Sequence, residues 1–209
     1  MQRTRTMAES VSFASGVLRL EAGLDGPPDA ARAAVICHPH PLYGGNMDNN
    51  VVEAIARACL AAGCLTLRFN FRGVGASDGG YGDFTGECDD ARAALAFVGE
   101  RVSGAPVVLA GYSFGALVAL TVGASAPAVD RIVAVAPPLA SAPLPAVGDK
   151  PVLIVAGDRD SYCSADALSR AGDALGVLGV TRTLRGGDHF LVGREDEIAA
   201  LVEAFLGER

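Results

Sequence analysis

Residues Pro106-Val-Val-Leu-Ala-Gly-Tyr-Ser-Phe-Gly-Ala-Leu-Val-Ala-Leu-Thr-Val122 decide how this chain folds. Pro106–Ala110 is a short β-branched run bounded by Gly104 and Gly111, the pattern of a strand buried on both faces. Phe114–Val122 has helical length and no charge, so it reads as a helix packed into the interior. Between them, Gly111-Tyr-Ser-Phe-Gly115 fits G-x-S-x-G. On a strand-to-helix turn that pattern is a nucleophile elbow: the glycines relieve backbone crowding and the serine hydroxyl projects at the carboxyl end of a sheet. The spacing also arises by chance in chains rich in glycine and serine. The strand-turn-helix context is what favours a nucleophile over a structural serine.

Working outward, residues 102–129 carry no charged side chain, which is the usual flag for a membrane span. Gly104, Pro106, Gly111, Tyr112, Ser113, Gly115 and Pro127 interrupt the run, so a buried strand followed by a helix is expected and no membrane partner. Further apolar runs lie at Ala33–Cys37, Cys64–Phe69, Arg131–Ala136 and Pro151–Ala156, with a weaker one at Val180–Leu184. Val11–Phe13 and Val17–Glu21 read as a half-buried edge hairpin. Helical spacing recurs at Asn50–Ala62, Glu87–Val102, Ala165–Leu178 and Glu195–Leu206. Strands apolar throughout and separated by helices predict an α/β fold: a doubly wound, mostly parallel sheet with helices on both faces. No repeat or linker divides residues 1–209, which read as one domain with residues 1–10 as a flexible N-terminal segment.

Composition narrows the function. The chain has 209 residues, half of them hydrophobic and 20% charged, far from the profile of a disordered segment. Its net charge is −7, with Lys150 the one lysine and no basic run, so it lacks the electrostatic footprint that nucleic acid requires. Cys37, Cys59, Cys64, Cys88 and Cys163 show no CxxC spacing, which argues against a disulfide framework or thiolate zinc site. The N-terminus has no apolar h-region, so a reducing, cytoplasmic location is expected.

A serine hydroxyl needs a base, usually an imidazole oriented by a carboxylate. Of three histidines, only His189 follows the serine, in a loop between the last strand and the C-terminal helix. That matches the order Ser, Asp, His. The acid should end an intervening strand, and Gly157-Asp-Arg-Asp160 follows Pro151–Ala156. Asp158 is placed to bond within the turn, whereas Asp160 lies far enough along to reach His189, so Asp160 is preferred. Asp188 is adjacent to His189, and neighbouring side chains diverge. An oxyanion needs two amide donors: one from Phe114, and one from the loop after Ala33–Cys37. Pro39 and Pro41 have no N–H, which leaves His40, Leu42 or Tyr43, with Leu42 the choice. His38-x-His40 can also be read as a metal pair, but no third ligand stands nearby. The glycine-rich segment 70–79 departs from G-x-G-x-x-G and opens no helix, so it reads as a tight loop held by Arg72 rather than a phosphate cradle.

His38-Pro-His-Pro-x-x-Gly-Gly-Asn-Met-Asp-Asn49, Phe69-Asn-Phe-Arg-Gly-Val-Gly-Ala-Ser77, Gly111-Tyr-Ser-Phe-Gly115, Gly157-Asp-Arg-Asp160 and Gly187-Asp-His-Phe190 occur in the order found in the α/β-hydrolase superfamily, which the chain resembles over residues 38–190. The first motif resembles that of a small lidless subgroup, similar in scale to dienelactone hydrolases. Those enzymes use a cysteine where Ser113 stands. Many members insert a cap after the strand corresponding to Arg131–Ala136. Here the connection is the proline-rich, 14-residue segment Pro137–Lys150, too short for a helical cap.

These readings together imply a serine hydrolase of a carboxylic ester or related acyl bond in a small substrate, using Ser113, His189, Asp160 and the Phe114 and Leu42 amides, with no cofactor or metal. Tyr43, Leu139 and Phe190 are the expected pocket walls, Phe190 being otherwise a packing residue. The same triad would serve an amidase, thioesterase, peptidase or acyltransferase. The rival of another class is a binding protein that keeps the fold. Two copies meeting over the open site, a homo-oligomer, would supply the missing cover.

Overall fold

The computed structural model describes residues 8–102 and 104–208. Among them the strands are β1 (Glu9–Ser15), β2 (Leu18–Asp25), β3 (Ala33–Cys37), β4 (Leu65–Phe69), β5 (Val107–Tyr112), β6 (Val129–Val135), β7 (Val152–Gly157) and β8 (Gly179–Leu184). The helices are α1 (Asn50–Ala61), α2 (Thr85–Gly99), α3 (Phe114–Ser125), α4 (Ala165–Leu175) and α5 (Glu195–Gly207). The expected pattern of elements is present, with shifted ends. The hairpin strands are longer than the apolar alternation suggested, so Glu9 and Ser10 belong to β1 rather than to a flexible segment; residues 1–7 lie outside the described residues. The fourth helix stops at Leu175 because Gly176 turns with a φ of +58° into a short 3-10 turn at Gly176–Leu178.

The strands form one sheet in the order β1-β2-β4-β3-β5-β6-β7-β8. From β4 to β8 every neighbouring pair is parallel, while β1 and β2 are antiparallel additions at one edge. Alternation within the continuous apolar strands sends side chains to two separate cores. Val35, Cys37, Leu109, Ile132 and Ile154 meet α2, α3 and α4 on one face. Ala34, Ile36, Val108, Val133 and Leu153 meet α1 and α5 on the other. A strand buried on both sides cannot alternate with polar residues, which is why these runs are apolar throughout.

The chain winds from β3 outward to β4, then returns to place β5 on the opposite side of β3. At such a switch point the loops leaving two neighbouring strands part, and a crevice opens at their carboxyl ends. The loops are the His38–Asn49 segment after β3 and the turn at Ser113 after β5. The 137–150 connection forms no helix, so no cap covers this crevice. The uncharged run 102–129 is divided among strand, turn and helix, and no described helix is long and apolar enough to cross a membrane.

Candidate active site

Ser113 stands at the tip of the β5–α3 turn with φ +54° and ψ −116°, a strained conformation for a residue with a side chain. Its flanking glycines are required by contact. A Cβ on Gly111 would lie 2.1 Å from the Gly115 carbonyl oxygen, and one on Gly115 would lie 2.3 Å from that of Cys37. Only bare backbone lets the elbow close on itself and press against the end of β3.

Ser113 Oγ lies 2.9 Å from His189 Nε2. On the other side of the ring, His189 Nδ1 lies 2.9 Å from Asp160 Oδ2 and 3.1 Å from Oδ1. The Asp160 carboxylate is buried, and its Oδ1 also accepts the Tyr162 and Cys163 amide hydrogens at 2.8 and 3.1 Å. These amides aim the carboxylate, and a carboxylate facing Nδ1 holds the ring proton there, leaving Nε2 as an acceptor toward the serine. Asp158 faces away and accepts the Gly186 N–H at 2.7 Å, tying the end of β7 to the end of β8. Asp188 instead bonds the Phe190 and Leu191 amides. Thus three elements distant in sequence bring Ser113, His189 and Asp160 into one hydrogen-bonded line.

Residues 29–150 match the family described as serine aminopeptidase, S33. The chain is a serine hydrolase of that family. An uncharacterized protein of Rickettsia prowazekii (strain Madrid E) is 32% identical over 191 residues, covering 84% of this chain and 79% of the relative. An α/β serine hydrolase homologue from Coxiella burnetii superposes with a TM-score of 0.87 at 32% identity, covering 97% of this chain and 99% of the other. A lidless α/β serine hydrolase from Xanthomonas campestris gives the same TM-score at 28% identity, with 97% and 95% covered.

Among the described residues, neither the Phe114 nor the His40 N–H donates a hydrogen bond. The Leu42 N–H does donate, to His40 Nδ1 at 3.2 Å, inside the 3-10 turn Pro41–Tyr43. This corrects the expectation for Leu42: its amide is engaged by its own turn, and its side chain is exposed. Tyr43 and Phe190 are exposed at the rim, their rings 4.7 Å from His40 and 6.1 Å from His189, centroid to centroid. Leu139 is half-buried against the core, in a loop joined to the Asp160 segment by the Ala140 N–H to Tyr162 carbonyl bond. A cleft of about 1010 Å³ lies elsewhere, among Asn50, Arg57, Arg68 and Glu195, and holds none of these residues.

Sequence reasoning missed two positioning side chains of the hydrolase. Tyr112 donates its hydroxyl hydrogen to the His189 carbonyl at 2.9 Å, and the Tyr162 ring packs on the imidazole at 4.6 Å. Burial, assisted by Asp160 and Asp188, pushes the Tyr112 phenol up to about 12, so it remains a donor at neutral pH. Position two of G-x-S-x-G and the residue two after Asp160 were the available signals, but neither spacing says where a side chain turns.

His38 is structural. It is fully buried, its Nε2 accepts the Phe71 N–H at 3.0 Å, and its Nδ1 lies 2.6 Å from the Pro39 carbonyl oxygen. Both ring nitrogens are used within the protein, so neither remains for a metal. The glycine-rich loop is likewise pinned: Arg72 binds Asp90 through two nitrogens at 3.0 and 2.7 Å, and Asn70 bonds Glu21 and the Met47 amide.

Burial pushes His38 down to about 4. The neutral ring is favoured in the fold, so the unfolded chain binds the extra proton between pH 6.5 and 4 and stability falls as pH drops through that window. At pH 4.5 the loss from this ring is about 2 kcal/mol, from the shift to about 4 against an ordinary 6.5. Urea unfolding at pH 7 and 4.5 checks it. The wild type should lose about that much more than His38→Gln, and equal losses would contradict the assignment.

Proposed function

We propose that the hydrolase cleaves a carboxylic ester or related acyl bond of a small substrate through an acyl-enzyme, with Ser113, His189 and Asp160 as a catalytic triad. The observation that carries the reading is the continuous line from Ser113 Oγ through both nitrogens of His189 to a buried carboxylate. Ser113 Oγ attacks the carbonyl carbon as His189 Nε2 takes its proton, and Asp160 stabilises the imidazolium. The oxyanion is held by the Phe114 and His40 amides, His40 replacing Leu42 because its N–H is free. Proximity supports the pairing: Gly115 abuts the carbonyls of Cys37 and His38, and the His40 and Phe114 rings pack at 4.7 Å. As the carbonyl re-forms, His189 returns the proton to the leaving oxygen. Water, deprotonated by the same ring, then attacks the acyl carbon and releases the acid.

The site's openness bears on substrate size. With Leu42, Tyr43 and Phe190 exposed and no helical cap over the crevice, short acyl groups are expected and no activation at a lipid interface. Chain-length profiling of p-nitrophenyl esters tests this. A maximum at about ten carbons or more would require a tunnel able to bury CH₂ groups at about 0.8 kcal/mol each, and would rule the open site out. The family's description adds peptide amides as a second reading, served by the same residues with His189 protonating an amine. Aminoacyl p-nitroanilides set against the matching esters separate the two.

A further inference from the structure

Beside the oxyanion donors stands a wall of rings that the triad does not use. The His40 ring packs against Tyr43 at 4.7 Å, Tyr81 at 5.0 Å and Phe114 at 4.7 Å. Phe114 is nearly buried and His40 and Tyr81 are half-buried, yet Tyr43 remains 86% exposed. Core packing does not account for an aromatic ring stacked on His40 and left facing water. The wall also has a definite side. His189, which must face the leaving group to protonate it, is lined by Tyr112, Tyr162 and Phe190. The acyl group is then left to the rings of His40 and Phe114, the two residues whose amides are proposed to hold the oxyanion.

We propose that His40, Tyr43, Tyr81 and Phe114 form an acyl subsite for a flat aromatic group. The assignment rests on the acyl-hydrolase reading above. Flat rings stack on this wall in offset or tilted geometry, whereas a saturated ring of equal size makes only dispersion contacts.

The test compares kcat/KM for 4-nitrophenyl benzoate and cyclohexanecarboxylate, each divided by its hydroxide-catalysed rate to remove intrinsic reactivity. Benzoate should exceed cyclohexanecarboxylate by about tenfold, as one to two aromatic pairs provide. Tyr43→Ala and Tyr81→Ala should each cut the benzoate-to-cyclohexanecarboxylate ratio by about threefold or more. These are ratios, so partial misfolding of a variant does not affect them. A benzoate-to-cyclohexanecarboxylate ratio near one, or one unmoved in both tyrosine variants, overturns the subsite. If folded enzyme cleaves no ester, the hydrolytic reading fails, and the subsite is then judged by binding. Methyl benzoate added to Ser113→Ala should shift the Tyr43 and Tyr81 ring resonances more than methyl cyclohexanecarboxylate does, and equal or absent shifts overturn it.

Discussion

Ser113→Ala and His189→Ala should each lower turnover of an activated ester by about four orders of magnitude or more, because the members of a triad act as a unit and losing either forfeits nearly all of their joint contribution. Oγ and Nε2 are 2.9 Å apart, so Oγ is already hydrogen-bonded to its base before substrate arrives. Without Oγ there is no nucleophile to acylate. Without the imidazole the hydroxyl keeps its proton, and a neutral serine attacks poorly. Folding should survive both changes. Ser113 contributes strained backbone rather than packing, and the His189 side chain remains 14% exposed in the loop between β8 and α5. Circular dichroism and melting temperature establish the fold, and burst and steady-state release of p-nitrophenol establish the rate. Activity above a tenth of wild type in either folded variant removes that residue from the mechanism.

A second large effect separates two aspartates that lie two positions apart. Asp160→Asn should reduce kcat by about 10⁴, the loss seen where an amide replaces the triad carboxylate, while Asp158→Asn should stay within a few fold of wild type. The isosteric amide keeps one oxygen for the Tyr162 and Cys163 N–H groups and so keeps the loop. It then turns its NH₂ toward His189 Nδ1, which must become an acceptor. The ring proton moves to Nε2 and points at Ser113 Oγ, and the base is lost through its tautomer with the geometry unchanged. Asp158 only accepts the Gly186 amide, a duty that an asparagine oxygen performs equally. Matched kinetics on the two variants decide it. Crippled Asp158→Asn with near-normal Asp160→Asn would reverse the assignment.

The sequence by itself determined the sheet and the elbow. Apolar runs in Val35, Val108, Ile132 and Ile154 have nowhere to lie except between two helical layers. Gly111 and Gly115 permit backbone contacts that any Cβ would block, so the motif and its strand-turn-helix setting announce the same turn. These are local constraints, written in neighbouring residues. His189 was also legible, being the one histidine after the serine, and Asp160 was legible from its distance past the end of β7.

Only the tertiary structure decided which groups are free to act. His40 and Leu42 each offer an amide from the same loop. The difference between them is a ring nitrogen that turns back on Leu42, set by side-chain torsions that no spacing encodes. Tyr112 and Tyr81 matter through what lies opposite them, in loops tens of residues away. The order β4-β3-β5 brings those segments to one crevice. Strand order follows from the packing of whole helices on a twisted sheet, so the placement of these side chains exists only once the chain has closed around its core.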